Sequence, residues 1–154
     1  MRSLLVVLLA ASLVVLAFSL WNVRSGRWAH IDASNPPERR VLNGFLLGLL
    51  LVGAAVAWRT DHAHHLSFAL LIAGLAVVTA LALSPILKIS LHTCFAALAA
   101  GFLWPAPFAI AAGGVVVGAL AWSRLTLRRH TPAEVFSGAL VGLLSAVAYH
   151  VLVA

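Results

Sequence analysis

Charge is scarce in this chain. Only 9% of its 154 residues are charged, whereas a soluble domain carries about 25%. So little charge cannot clothe a water-facing surface, which excludes an ordinary soluble fold. Cysteine is almost missing as well. With Cys94 alone, no disulfide can form within the chain, and a thiolate site has no second ligand. Inside its apolar run Cys94 reads as a small buried hydrophobe. Long-period repeats and low-complexity tracts are absent, and the length leaves room for one domain, residues 1–154.

What is abundant is apolar sequence, at 63% of the chain. It falls into six runs, about residues 3–21, 41–58, 66–83, 85–104, 107–123 and 133–153. Each approaches the roughly 20 residues that cross about 30 Å of hydrocarbon as a helix. The runs are continuous rather than alternating, and open strands cannot satisfy their backbone in lipid. The expected fold is therefore all-α, an integral membrane bundle of six transmembrane helices. The first run has a core too long for a signal peptide and no clear small-x-small cleavage site, so it reads as a retained helix. Gly44–Gly48, Gly114–Gly118 and Gly138–Gly142 have the GxxxG spacing that lets helices approach closely. Packing within one bundle is their expected role; a homodimer through Gly-rich faces is the alternative.

The formal net charge is +6. Nucleic acid is excluded as a partner because it needs a water-exposed basic face, and these arginines sit in short gaps between apolar runs. Phosphate-bearing lipid suits them better. Six crossings would put the first, third and fifth connections on one membrane face. That face receives Arg24, Arg27, Asp32, Glu38, Arg39, Arg40, Lys88, Arg124, Arg128, Arg129 and Glu134, with His30, His92 and His130. The other face holds little beyond Arg2, Arg59 and the DHAHH segment, residues 61–65. Positive charge gathers on cytoplasmic loops whether or not a site is there. That does not explain Lys88 and His92, which fall within the expected opening turns of the fourth run, where ionisable groups are functional candidates.

Two segments carry the chemistry. In SPILKISLH, residues 84–92, Ser84 can cap a helix and Pro85 suits its first position. Lys88 and His92 would then share a helical face. With Ser90 and a helix N-terminus they make a phosphate cradle. In SRLTLRRHTPAE, residues 123–134, His130 precedes Glu134 by four. A carboxylate can hold an imidazole in one tautomer and leave its other nitrogen free to attack. Thr131-Pro132-Ala133-Glu134 also reads as a capping box, and the two roles are compatible. His92 could protonate a leaving oxygen, and arginines could hold phosphoryl oxygens.

These segments resemble the signature of the type 2 phosphatidic acid phosphatase superfamily, membrane lipid phosphatases related to vanadium haloperoxidases. That family carries Lys-x6-Arg-Pro, then Pro-Ser-Gly-His, then Ser-Arg-x5-His-x3-Asp. Ser123-Arg124, His130 and Glu134 reproduce the third spacing, with Glu for Asp. Ile89-Ser90-Leu91-His92 keeps Ser and His of the second motif but not Pro and Gly. Asp32 and Arg39-Arg40 keep only one arginine of the first. The resemblance implies His130 as nucleophile, Glu134 as its orienting carboxylate and His92 as acid for the leaving group. Arg39, Ser90 and Arg124 become phosphate ligands, with Arg40 beside Arg39 and Lys88 supplying the missing positive charge. It further implies hydrolysis of a lipid phosphate or diphosphate (polyprenyl diphosphate, phosphatidate or phosphatidylglycerol phosphate) without metal or cofactor, in a multi-pass protein of the bacterial inner membrane.

Two other classes compete. Asp61, His62, His64 and His65 could bind a metal or haem, although neighbouring histidines on a short loop point in different directions. A catalytically inactive scaffold of the same fold would release no phosphate.

Overall fold

The computed structural model describes residues 2–33, 35–60 and 64–153, with side chains from residue 10 onward. Among the described residues there are six helices and no strand. They are α1 (Arg2–Arg24), α2 (Pro36–Trp58), α3 (His64–Leu83), α4 (Leu91–Gly101), α5 (Pro107–Thr126) and α6 (Pro132–Val153). By length and composition α2, α3, α5 and α6 can each cross a membrane. α4 has 11 residues, about 16 Å at 1.5 Å per residue, which is short of the hydrocarbon thickness. Four such apolar helices point to a multi-pass membrane protein.

The chain forms two compact units, Met1–Leu49 and Leu50–Ala154, and α2 begins in the first and ends in the second. In the first, Phe18 stacks on Phe45 with ring centroids 3.9 Å apart, and Trp28 meets Phe18 edge-on at 5.6 Å. The turn after α1 is set by Gly26 at φ 70°, where a side chain would be strained. Asn35 opens α2 by accepting the Arg39 N–H, and Pro36 follows at the first helical position. Glu38, one turn in, accepts the Ala29 N–H at 3.0 Å and the Asn35 amide at 2.9 Å. This ties the connection back onto the helix it leads into.

In the second unit α4 lies at the centre and packs most extensively on α6, then on α5. Small residues make that closeness feasible. Gly138 faces the Ser90 carbonyl and the Thr93 hydroxyl, Gly142 faces the Cys94 carbonyl, and Gly101 faces Ala146. The Thr93 hydroxyl donates to the Ser90 carbonyl at 3.0 Å and lies 3.3 Å from the Val135 carbonyl oxygen. Ile72 and Ala73 of α3 join Leu98 of α4 and Ala146 of α6 in a buried apolar cluster. α5 has no buried residue, and its Phe108, Val115 and Trp122 are exposed. An apolar helix with such a surface suits a lipid environment. The Gly138–Gly142 pair therefore packs within the unit, whereas a Cβ at Gly114 or Gly118 would meet nothing within 4 Å.

The helix expected from Pro85 starts later. Ser84 closes α3 instead: its N–H and hydroxyl both donate to the Leu81 carbonyl. Pro85 has no N–H to continue the ladder, and a turn through Ile86 and Leu87 onto the Leu83 carbonyl follows. Ser90, with extended φ and ψ, is the residue that opens α4. Lys88 therefore precedes the helix, and it does not share a helical face with His92.

Candidate active site at the turn between α5 and α6

Arg124 and His130 are brought together by the way α5 ends. Arg128 adopts a left-handed conformation at φ 52°. The Arg128 N–H donates to the Leu125 carbonyl and the Arg129 N–H to the Arg124 carbonyl, both at 3.0 Å. This is a Schellman motif, which satisfies the last carbonyls of a helix and reverses the chain. Glycine usually holds the left-handed position, and a side chain there costs about 1–2 kcal/mol. The His130 N–H points to the same Arg124 carbonyl at 3.4 Å. Five intervening residues thus fold into one closed turn, with the histidine held over the backbone of the arginine.

The start of α6 fixes the histidine's side chain. Thr131 and Glu134 form the capping box: the Glu134 N–H donates to Thr131 Oγ1 at 3.3 Å, and the Thr131 N–H to Glu134 Oε2 at 3.0 Å. The same Oε2 lies 3.1 Å from His130 Nδ1. A carboxylate oxygen can only accept, so a neutral His130 in this contact carries its proton on Nδ1 and keeps the Nε2 lone pair. The two side chains are 11% and 17% exposed. Cap and orienting group are one residue, as the spacing allowed.

The segment before α4 is laced to this turn. Lys88 Nζ donates to the Arg129 carbonyl at 2.9 Å, and the Ser90 N–H donates to the Glu134 carbonyl at 3.1 Å. Lys88, Ser90, Arg124, His130 and Glu134 are thereby gathered from the third and fifth connections. Burial pushes the His130 imidazole below its usual value of 6.5, the charges of Lys88 and Arg124 push the same way, and the bond to Glu134 opposes them. A neutral ring at physiological pH is the form that can attack an electrophile. Ser90 Oγ and Arg124 Nε are buried without a hydrogen-bond partner. Buried polar atoms seldom stay unsatisfied, so a hydroxyl and a guanidinium are held ready for a polar group.

The other expected residues are placed as follows. His92 is the second residue of α4, two beyond Ser90, and is exposed. Arg39 and Arg40 lie in the first turn of α2, within the Met1–Leu49 unit, with Arg39 half-buried and Arg40 exposed. Asp61 and His62 lie outside the described residues, while His64 and His65 open α3 and the His64 ring meets Trp58 edge-on at 4.8 Å. Among the described residues no three His, Cys, Asp or Glu side chains gather as a metal site would require. Two contributors carried little sequence signal. Arg128 sets the turn without the glycine that marks such positions. Gly138 lets α6 approach the Ser90 carbonyl, and its GxxxG spacing was the one hint. No family model, curated protein or solved structure matches the chain.

Proposed function

We propose that the chain is a membrane lipid phosphatase that hydrolyses a lipid phosphate or diphosphate through a phosphohistidine, as its resemblance to the type 2 phosphatidic acid phosphatases implies. The observation that carries this reading is the His130–Glu134 pair at 3.1 Å beside two buried, unpartnered donors on Ser90 and Arg124. A nucleophile oriented by a carboxylate, next to preorganised donors for developing negative charge, is the arrangement phosphoryl transfer uses. His130 Nε2 attacks phosphorus while Ser90 Oγ and the Arg124 guanidinium bind the equatorial oxygens. The bond from phosphorus to the lipid oxygen breaks, and that oxygen takes a proton from a protonated His92. Water then attacks the phosphohistidine, gives a proton to His92, and releases phosphate with His130 restored. Lys88 holds the turn and adds positive charge.

Six crossings follow in the same reading, with the irregular stretch from Ser84 completing the short α4. Irregular backbone at membrane depth is tolerated where protein buries it; Ile89 and Ser90, next to α4, are buried, whereas Pro85 and Ile86 are exposed. The bacterial inner membrane is the proposed location, and no cofactor is invoked.

The test is phosphate release by purified protein from phosphatidate, phosphatidylglycerol phosphate and a polyprenyl diphosphate. Release in EDTA, inhibition by vanadate and loss on His130→Ala are expected. Release that survives His130→Ala unchanged would remove the mechanism.

A further inference from the structure

α5 and α6 both pack on α4 but make little contact with each other. Between them lies a groove of about 860 Å³. Small residues of α4, namely Ala97, Ala100 and Gly101, form its floor. Ile110, Gly114 and Val117 form one wall, and α6 supplies the other from Phe136 to Val151. That stretch of α6 is about 22 Å long at 1.5 Å per residue. His150 is the sole ionisable residue in the lining, and its Nε2 lies 3.0 Å from the Gly101 carbonyl oxygen.

The groove's register ties it to the candidate site. Ile110, Gly114 and Val117 are spaced by four and three, so they share one face of α5. Seven residues beyond Val117, on that same face, is Arg124. On α6 the lining begins with Phe136, in the first two turns of the helix and on the face opposite Glu134. The α5 wall of this apolar channel, carried one more heptad along the same face, thus leads to Arg124. The channel's occupant must be apolar along its length and anionic at one end.

We propose that this groove seats the hydrocarbon chain of the phosphate-bearing lipid, which enters sideways between α5 and α6 with its head at Arg124. The proposal rests on the lipid phosphatase reading and narrows its substrate to an amphiphile recognised by its chain as well as its phosphate. Gly114 is the gate position. It lines the groove, and a Cβ there would meet nothing within 4 Å, so a larger side chain can occupy the channel without displacing protein atoms.

Binding of hexadecyl phosphate, hexadecanol and butyl phosphate to full-length protein in lipid nanodiscs tests the idea apart from turnover. The unaltered protein should hold hexadecyl phosphate more tightly than either of the others. Gly114→Leu should weaken hexadecyl phosphate about tenfold more than butyl phosphate. Leu140→Trp narrows the groove from the opposite wall and should do the same, which covers the case of a Gly114 variant that fails to fold. Val115→Leu, next to Gly114 but outside the groove and 73% exposed, should change neither. Equal retention of hexadecyl phosphate and hexadecanol, unaffected by filling the groove, would mean that bulk lipid alone occupies it and would overturn the proposal. Chain-selective binding without phosphate release from any lipid would sink the phosphatase reading and leave the groove as an amphiphile site.

Discussion

Lys88 Nζ donates to the Arg129 backbone carbonyl at 2.9 Å, joining positions 41 apart in sequence. The bond ties the approach to α4 to the turn before α6. It also sets a positive charge beside His130, whose imidazole is depressed by burial first and by Lys88 second.

Replacing Lys88 by Met removes that charge and that bond. The His130 titration should move up toward 6.5, read by NMR of the ring protons, and stability should fall by about 1 kcal/mol. The pH dependence follows from the direction of the shift. Below 6.5 the unfolded chain takes a proton that folded His130 resists, so stability declines as pH falls through that window. Activity should likewise persist somewhat below pH 6.5, with its acid limb moving upward in Lys88→Met. An unmoved His130 titration would mean that Lys88 exerts no field at the site.

Glu134 carries two roles that substitution can separate. Gln can still serve a capping box, so Glu134→Gln should keep a near-parental melting temperature. It loses the charge that steadies the Nδ1 proton of His130, and turnover should drop about 10²–10⁴-fold. The His130 titration should fall further, because Glu134 opposes its depression. Glu134→Ala should add a stability loss of about 1 kcal/mol from the missing cap. Full turnover in the Gln variant would reduce Glu134 to a cap.

Glycines with the same spacing should behave differently. Gly138→Ala puts a methyl into the Ser90 carbonyl and Thr93 hydroxyl, and overpacking of this kind costs about 1–3 kcal/mol. Gly118→Ala meets nothing within 4 Å and gains helix propensity of up to about 1 kcal/mol. Thermal unfolding in detergent should therefore move in opposite directions for the two variants.

Arg128 holds a left-handed position that glycine adopts without strain. Arg128→Gly should raise stability by about 1 kcal/mol, the relieved strain exceeding the added chain entropy. Phosphate release should persist, because the Schellman hydrogen bonds are made by backbone. A lower melting temperature would show that the Arg128 side chain has a structural role of its own.

How much of this was legible varied from residue to residue. The capping box at Thr131–Glu134 was readable because its hydrogen bonds are local, three residues apart. The start of α4 was not. Ser-Pro serves equally as a helix opening and as a helix stop, and Ser84 chose the latter by bonding back to Leu81. With that, the supposed helical pairing of Lys88 and His92 dissolved, and Lys88 found its partner on another connection. The end of α5 was equally hidden, since Arg128 bears none of the marks of a left-handed residue.

The sequence by itself determined that the chain is built of apolar helices, because backbone in lipid has no other local way to satisfy itself and the runs are long enough to show it. It also placed His130 and Glu134 within reach of each other, because a capping glutamate folds back beside the residue just before the cap. Only the tertiary structure decided which glycine pair would be closed by a neighbour, that Lys88 and Ser90 would meet the α5–α6 turn, and that α5 and α6 would splay over α4. Those outcomes depend on surfaces far apart in sequence fitting together, and spacing within a single segment does not encode that fit.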